Sequence, residues 1–286
     1  MNELEQKRLK TMSFWVVWQS NKPILLTSRN EGYPRVRVPI CRPKVGQHAG
    51  GNVRTKVVER PARQVHRHGL QKKVNKIAGE KLAGVQQTES VLESNVAVAA
   101  HIDPRVRRVV PQPCTFDLNT GRIYPSKAAL FEACREMRYK PAPYTPDFRL
   151  YLVDGTQLFV EAKISRQLER HPEVRERVAA VAGIGWRIAL VTERDLPEPL
   201  VRNIRLLKPI APSVPSADEK ETILRELAQP LPFQLVLNRT GATQGQVLAW
   251  IRSGVLRVDL SAGRLGPKSV VAWSKGSSKH LEVLPL

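Results

Sequence analysis

The chain has 286 residues, of which 42% are hydrophobic and 25% are charged, and its formal net charge is +20. This composition is ordinary for a globular protein and excludes wholesale disorder, and the length accommodates two domains. A positive field of this size attracts polyanions and favours counterion release from nucleic acid. We therefore expect a nucleic-acid partner, with a membrane surface or a merely basic soluble protein as the alternatives.

The three cysteines indicate a reducing compartment. Cys41, Cys114 and Cys134 show neither a metal-binding spacing nor an obvious disulfide pairing. The apolar runs are shorter than the roughly 20 residues of a membrane helix, and the N-terminus lacks the apolar region of a signal peptide. The sequence therefore predicts a soluble, cytoplasmic protein with no membrane partner.

The positive charge is concentrated in the N-terminal part of the chain. Residues 1–88 contain 18 Lys and Arg against 5 Asp and Glu, a net charge of +13. Residues 23–61 contain Pro and Gly without sustained periodicity, which indicates loop or disorder, and we predict a basic, poorly ordered arm over residues 1–70. The arm is either a solvated tail or a contact to the DNA backbone, and the candidate DNA-binding residues in and next to it are Arg54, Lys56, Arg60, Arg63, Lys72 and Lys73.

The middle of the chain, residues 71–210, has the pattern of an α/β domain. Apolar residues recur at helical spacing after Thr88, which we expect to cap a helix over residues 89–100. Strands are predicted over 106–110, 148–153, 157–164 and 187–192, and a helix over 173–182. Asp154 and Gly155 predict a hairpin turn between the second and third of these strands.

A linker rich in Pro and Ser over residues 211–217 introduces a C-terminal domain, residues 211–286. Helices over 219–228 and 243–253 and strands over 255–260 and 269–273 suggest a small winged-helix-like domain. Its net charge is only +3, from 9 Lys and Arg against 6 Asp and Glu. We therefore expect a docking module for a protein partner, rather than the main DNA reader, with a stabilising cap on the preceding domain as the alternative.

Three chemically useful side chains lie at one end of the predicted hairpin. If both runs are paired strands, Asp147 and Glu161 converge, and Lys163 shares the face of Glu161 because strand side chains alternate. Such a trio suits phosphodiester hydrolysis, with Asp147, Glu161 and the carbonyl of Ala162 as ligands for Mg²⁺, for which Mn²⁺ substitutes. Lys163 would orient or deprotonate water and stabilise developing charge. This is the PD-(D/E)xK nuclease pattern, and the alternative is a solvated charge pair.

A fourth carboxylate is expected from the helix before the sheet. Glu89 and Glu93 lie one turn apart on the same helical face, so periodicity leaves both possible.

Four sequence blocks occur in order along the chain: Ser90-Val91-Leu92-Glu93, then the segment 103–113 ending in Gln112-Pro113, then Thr145 to Phe148, then Val160 to Lys163. In these blocks and their order the chain resembles the TnsA family of transposon endonucleases. The resemblance extends over about residues 71–286 and is strongest from Glu89 to Lys163. It implies a restriction-endonuclease-like mixed-sheet core, Glu93 as the helix carboxylate of the active site and a further ligand of the metal, and a supporting role for Gln112.

The resemblance also implies a role in cut-and-paste DNA transposition. A prokaryotic, nucleoid-associated TnsA-like subunit would cleave the 5′ ends of the transposon in double-stranded DNA, beside a TnsB-like transposase and a TnsC-like ATPase regulator. The alternatives are a stand-alone restriction or repair nuclease of the same fold, and a catalytically inert DNA-binding assembly subunit.

Overall fold

The computed structural model of the protein describes residues 75–82 and 84–286. The predicted basic arm, with Arg54, Lys56, Arg60, Arg63, Lys72 and Lys73, lies outside these residues.

The described residues form short strands that alternate with helices. The strands are β1 (Asn75–Ile77), β2 (Gln86–Thr88), β3 (Val106–Pro111), β4 (Thr115–Asp117), β5 (Arg122–Tyr124), β6 (Pro143–Tyr144), β7 (Phe148–Leu152), β8 (Gln157–Ala162), β9 (Ile188–Val191), β10 (Leu231–Pro232), β11 (Leu256–Val258) and β12 (Val270–Trp273). The helices are α1 (Val91–Ile102), α2 (Lys127–Ala133), α3 (Ser165–Arg170), α4 (Glu173–Gly183), α5 (Glu198–Leu207), α6 (Ala217–Glu226), α7 (Phe233–Thr240) and α8 (Gln244–Arg252), and a 3₁₀ turn covers Lys279–Leu281.

A four-stranded mixed sheet with the order β3-β7-β8-β9 is the centre of the α/β fold. The first three strands pair antiparallel and β9 pairs parallel to β8. The predicted strands are therefore confirmed, with ends that differ by one to two residues. The turn between β7 and β8 is also confirmed: Gly155 has φ 84°, and Asp154 accepts a hydrogen bond from the amide of Thr156 at 2.8 Å.

Helix α1 begins later than predicted. The N-cap is Ser90, whose hydroxyl accepts from the amide of Glu93 at 3.1 Å, so the prediction that Thr88 caps the helix is wrong. Thr88 instead ends β2, opposite Asn75. Ser90 has the advantage of a Glu three residues later, the spacing of a capping box, which Thr88 lacks.

The two faces of the central sheet pack against different layers. Leu158, Val160 and Ala162 face the larger core, which also contains α1 and α5. Phe159 faces the other way, into a smaller cluster with Phe116 and Val181 from β4 and α4. Since side chains alternate along a strand, Glu161 shares the face of Phe159.

Two small sheets were not predicted. The hairpin β1-β2 and the sheet β5-β4-β6 consist of strands of two or three residues. Such strands are too short to show a period of two, so the sequence gives little sign of them.

The C-terminal residues form three helices and a small antiparallel sheet with the order β10-β12-β11. Helix α7 was missed, and a left-handed Gly241 separates it from α8. The hydrophobic core is continuous from the central sheet into this part, and it includes Trp250 and Ile251 of α8.

Polar contacts reinforce this junction. Asn203 of α5 donates to the carbonyls of Leu260 and Gly263 at 2.8 and 2.7 Å, and it accepts from the amide of Leu265 at 2.8 Å. Arg105 donates to the carbonyl of Leu284 at 2.6 Å. The C-terminal part is therefore fastened to the central fold by both apolar and polar contacts.

Candidate functional site

The β7-β8 hairpin brings Asp147 and Glu161 together. Phe148 pairs with Val160 in an antiparallel register, so the next residues outward along the hairpin, Asp147 and Glu161, lie opposite each other. The neighbouring strand helps to fix this end, because the amide of Gln112 donates to the carbonyl of Asp147 at 2.8 Å.

Gln112 adopts a backbone conformation that is unusual for a residue with a side chain. Its φ is 42°, in the left-handed region, which costs of order 1 kcal/mol for a residue other than Gly. The bond to Asp147 offsets part of this cost. Gln112 thus supports the site through its backbone, and its side-chain amide also lies 3.4 Å from Glu89 Oε1.

The Glu161 carboxylate is held by two donors. Tyr144 Oη donates to Oε2 at 2.9 Å, and Lys163 Nζ lies 3.3 Å from Oε1. Glu161 is only 4% exposed, whereas the Lys163 side chain retains 31% exposure. The carboxylate is therefore fixed at the base of the site and the ammonium group lies toward solvent.

Asp147 is anchored to the strand that carries Glu161. Its Oδ2 accepts from the amide of Ala162 at 2.8 Å. Burial raises the pKa of the Asp147 carboxyl well above its usual value, Glu161 raises it further, and Lys163 opposes both effects. Ionised Asp147 and Glu161 repel each other at this edge, which favours a cationic ligand.

Burial and neighbouring charges also have opposite effects on the pKa values of Glu161 and Lys163. Burial raises the pKa of Glu161, although Lys163 and the Tyr144 hydroxyl stabilise its charged form. Burial alone would lower the pKa of Lys163, but Asp147 and Glu161 together raise it. Lys163 is therefore a cation at neutral pH, and its role as a base requires that the neighbouring negative charge first be neutralised.

Glu93 lies within electrostatic range of all three groups, and it is 8% exposed. Its Oε2 accepts from the amide of Glu89 at 2.8 Å, a contact that stabilises the start of α1. The helix therefore places Glu93 near Asp147, Glu161 and Lys163 and also gives its carboxylate a structural bond.

The donor chemistry of the site suits a hard divalent cation. Asp147 and Glu161 offer carboxylate oxygens, and Mg²⁺ is commonly held by one or two carboxylates together with water and substrate phosphate. No group of three or more His, Cys, Asp or Glu in residues 75–82 and 84–286 has an arrangement ready to enclose a metal ion. Asp147 and Glu161 thus offer two carboxylates to a cation, while Glu93 and the Ala162 carbonyl stay predicted ligands.

Tyr144 was not identified from the sequence. Tyr144 lies in β6, which pairs with β4, whereas Glu161 lies in β8 of the central sheet. Their contact is therefore tertiary, and no spacing along the chain predicts it. A buried Tyr directly before the Thr-Pro-Asp block was the available signal, since a buried phenol needs a hydrogen-bond partner.

No protein-family model matches the chain, and no curated protein is significantly similar to it. Among the helices that the structure describes, none is both long and apolar enough to cross a membrane.

Proposed function

We propose that this protein is a divalent-metal-dependent DNA endonuclease of the restriction-endonuclease-like type. The observation that carries the proposal is the meeting of Asp147, Glu161 and Lys163 at one end of the β7-β8 hairpin, where a partly buried and a buried carboxylate, both with raised pKa values, adjoin a partly exposed ammonium group. Clusters of perturbed ionisable groups are typical of catalytic sites.

The roles of the residues follow from their positions. Asp147 and Glu161 would hold Mg²⁺ or Mn²⁺, and the Ala162 carbonyl would add a neutral ligand. When bound, the cation supplies Lewis-acid stabilisation of the phosphate and lowers the pKa of a coordinated water. Lys163 places a positive charge beside the scissile phosphate, and Glu93 adds negative charge that strengthens cation binding.

The architecture supports the finer fold assignment. A mixed sheet with its site at the end of an antiparallel hairpin, and a helix bearing Glu93 packed on the same core, agrees with a restriction-endonuclease-like core. In the C-terminal part, the order α6, β10, α7, α8, β11, β12 agrees with a winged helix.

Within this class we propose a TnsA-like subunit that cuts double-stranded DNA at the 5′ ends of a transposon. The proposal rests on the four sequence blocks, whose members Glu93, Gln112, Asp147 and Glu161 meet around one site. Its partners would be a TnsB-like transposase and a TnsC-like ATPase regulator. The protein would act in the cytoplasm of a prokaryotic cell, on nucleoid DNA.

Helix α8 argues against DNA reading by the C-terminal part. Five consecutive residues, Val247 to Ile251, are buried, whereas a helix that enters the major groove needs an accessible face. A protein-docking or stabilising role is thus favoured over a DNA-reading one.

Asp147→Asn tests the endonuclease proposal. Asn can still accept from the Ala162 amide, but it removes the charge, so we expect metal-dependent DNA cleavage to fall at least a hundredfold, whether the wild type cuts alone or only with its partner proteins on transposon-end DNA. Because burial and Glu161 disfavour ionised Asp147, the metal-free variant should be at least as stable toward heat as the wild type.

The matched control is Asp154→Asn at the opposite end of the same hairpin, where Asn can still hold Thr156. It should cleave at the wild-type rate. Undiminished cleavage by Asp147→Asn would contradict the endonuclease assignment.

A reconstitution separates the alternatives. A stand-alone nuclease cuts with the purified protein and metal alone. A TnsA-like subunit requires the transposase and ATPase encoded beside it, and cuts specifically at transposon ends. An inert assembly subunit gives no cleavage under either condition, although it supports joining by its partners.

A further inference from the structure

Gln112 connects the two sides of the candidate site. Its backbone amide donates to the carbonyl of Asp147 at 2.8 Å, next to the β7-β8 hairpin. Its side-chain Nε2 donates to Glu89 Oε1 at 3.4 Å, just before α1. The Glu89 amide in turn donates to Glu93 Oε2 at 2.8 Å. The side chain of Gln112 therefore crosses from the hairpin that carries Asp147 to the helix end that carries Glu93.

The carbonyl oxygen of this side chain, Gln112 Oε1, is buried and accepts no hydrogen bond from the part of the chain that the structure describes. Glu89 fixes which end of the amide is the oxygen, because a carboxylate accepts hydrogen bonds and so must face the NH₂ group. A buried carbonyl oxygen that gives up its bond to water without another donor is unfavourable for folding. Such an acceptor beside a candidate site indicates a donor that comes with a ligand.

The backbone of Gln112 also points to a function of its side chain. Its φ of 42° is in the left-handed region, which Gly adopts at little cost and a residue with a Cβ adopts at a higher one. The bond to Asp147 needs only the backbone, so Gly would make it without that cost. Residues held in such conformations are concentrated at binding and catalytic sites. The strain is therefore explained best by a task for the side chain.

We propose that Gln112 Oε1 accepts a hydrogen bond from a water molecule that is coordinated to the cation of the candidate site. The proposal rests on the endonuclease function above and makes Gln112 a positioning residue of that site. A cation such as Mg²⁺ keeps several of its waters when one or two carboxylates bind it. Coordination makes such a water a strong donor, which needs an acceptor. Gln112 Oε1 is neutral, so it binds the water without adding to the mutual repulsion of the carboxylates.

The test compares Mn²⁺ binding with metal-free stability in Gln112→Met, which keeps the length of the side chain and removes both polar atoms. Calorimetric titration with Mn²⁺ alone should show an affinity about tenfold below that of the wild type, as is typical when a group that supports a metal site is lost. Without metal, the urea midpoint should stay close to the wild-type value, because the removed oxygen then has no donor to lose. A lowered midpoint with unchanged Mn²⁺ affinity would limit Gln112 to a structural role.

Two further substitutions separate the oxygen from the rest of Gln112. Gln112→Glu keeps an acceptor but cannot donate to Glu89, and it should bind Mn²⁺ at least as tightly as the wild type. Gln112→Gly keeps the backbone bond to Asp147 and relieves the left-handed strain, and it should bind Mn²⁺ as weakly as Gln112→Met without a lower urea midpoint. It also provides the test if Gln112→Met does not fold. If Gln112→Glu binds Mn²⁺ as weakly as Gln112→Met, the bond to Glu89 matters and the proposal is wrong.

Gln246→Met is the matched control. Gln246 Nε2 also donates to a carboxylate, Glu219 Oε1 at 3.1 Å, and its Oε1 accepts from the amide of Thr243 at 2.9 Å, at the start of α8. These bonds belong to the C-terminal part, so their loss should lower the urea midpoint and leave Mn²⁺ affinity unchanged. Equal losses of Mn²⁺ affinity in Gln246→Met and Gln112→Met would overturn the proposal.

The outcomes distinguish this role of Gln112 from the proposed function. Wild-type Mn²⁺ affinity in folded Gln112→Met overturns the role, and metal-dependent cleavage by the wild type then still upholds the endonuclease. A tenfold loss of affinity, together with a wild type that never cleaves DNA alone or with its partner proteins, supports the role and contradicts the endonuclease. A wild type that binds no Mn²⁺ overturns both.

Discussion

Glu93 illustrates how one side chain can serve both a helix and the candidate site. Its carboxylate accepts from the amide of Glu89, the residue before the N-cap Ser90. Its charge also acts on Asp147, Glu161 and Lys163. The two roles depend on different properties, because the first needs only an acceptor oxygen and the second needs a negative charge.

The substitutions Glu93→Gln and Glu93→Ala should therefore differ. Glu93→Gln keeps an acceptor and should change the free energy of unfolding by less than about 0.5 kcal/mol, while Glu93→Ala should cost about 1 kcal/mol. Both should weaken Mn²⁺ binding and cleavage to a similar degree. Urea unfolding and calorimetry measure the two effects, and normal metal affinity in Glu93→Gln would limit Glu93 to the helix.

Tyr144 is expected to position Glu161 for cation binding. Tyr144→Phe removes the only hydroxyl that bonds Glu161 Oε2 in the described structure, and loss of such a supporting bond typically weakens metal binding 10- to 100-fold. Calorimetry with Mn²⁺ measures the change. Tyr139→Phe is the control, since Tyr139 makes an equivalent 2.6 Å bond to Asp117, which is not part of the site. Equal effects of the two variants on metal affinity would contradict the positioning role.

The relation of Glu161 to Lys163 could be predicted from the sequence, because residues two apart in a strand share a face. The bond from Tyr144 to Glu161 could not. It joins two strands of different sheets, and no local spacing encodes which buried phenol meets which carboxylate. The left-handed backbone conformation of Gln112 could not be predicted either. Such a conformation is usually indicated by Gly or Asn, and here the residue is Gln.

Helix α1, which carries Glu93 at its start, ends among positive charges. Lys81 Nζ donates to the carbonyl of Asp103 at 2.5 Å, and Arg252 donates to that of His101 at 3.2 Å. These cations satisfy carbonyls and complement the helix dipole at its negative end. The buried His101 lies beside them and against Gly79, where a Cβ would come within 2.7 Å of the ring.

His101 should make folding sensitive to acid. Burial, then the charges of Arg252 and Lys81, lower its pKa from 6.5 to about 4. Between these values the unfolded chain binds a proton that the folded chain does not, so the contribution is fully present above pH 6.5 and is lost as pH falls toward 4. The loss should reach up to about 3 kcal/mol.

Urea unfolding at about pH 7 and about pH 4.5 checks this expectation. The difference in stability between the two pH values should shrink in His101→Leu, while the same change at His171, which is exposed and pairs with the exposed Glu173, should alter it far less. An equal pH dependence in wild type and His101→Leu would show that other groups are responsible.

Long strands and helices are specified by their local sequence better than short ones. Strands β7 and β8 have five and six residues and a turn of Asp and Gly between them. The alternation of apolar residues and the turn residues therefore predict the same hairpin. Helix α7 has eight residues directly after Pro232, and its apolar positions resemble those of a strand. The sheet β5-β4-β6 depends on tertiary pairing that short segments do not specify.

At the scale of the whole molecule, the central sheet and the C-terminal part share one hydrophobic core. Leu200, Ile204 and Leu207 of α5 are buried, and α5 packs both on α1 and on α8. The predicted domain boundary between residues 210 and 211 therefore lies between two parts of the chain, one with α5 and one with α8, that bury apolar surface against each other.

We accordingly expect residues 75–286 to unfold in one cooperative transition. Calorimetry should show a single peak for this part, with an unfolding enthalpy of roughly 150 kcal/mol near 60 °C and agreement between calorimetric and van't Hoff values. A chain that ends at residue 210 should be strongly destabilised, because the apolar face of α5 becomes exposed. Two resolved peaks and a stable truncated chain would show that the parts fold independently.

The contacts of Asn203 have a consequence for the rates at which backbone amides open to solvent. Its side chain uses both amide hydrogens and its oxygen on the segment between β11 and β12, which has no helix or strand of its own. Such segments usually open by local fluctuation, and their amides exchange rapidly with deuterium. The Leu265 amide is instead bonded to a buried side chain on another element, so its release requires α5 to separate from the segment. Leu265 should therefore exchange as slowly as the amides of the central strands, unlike the other amides of the same segment.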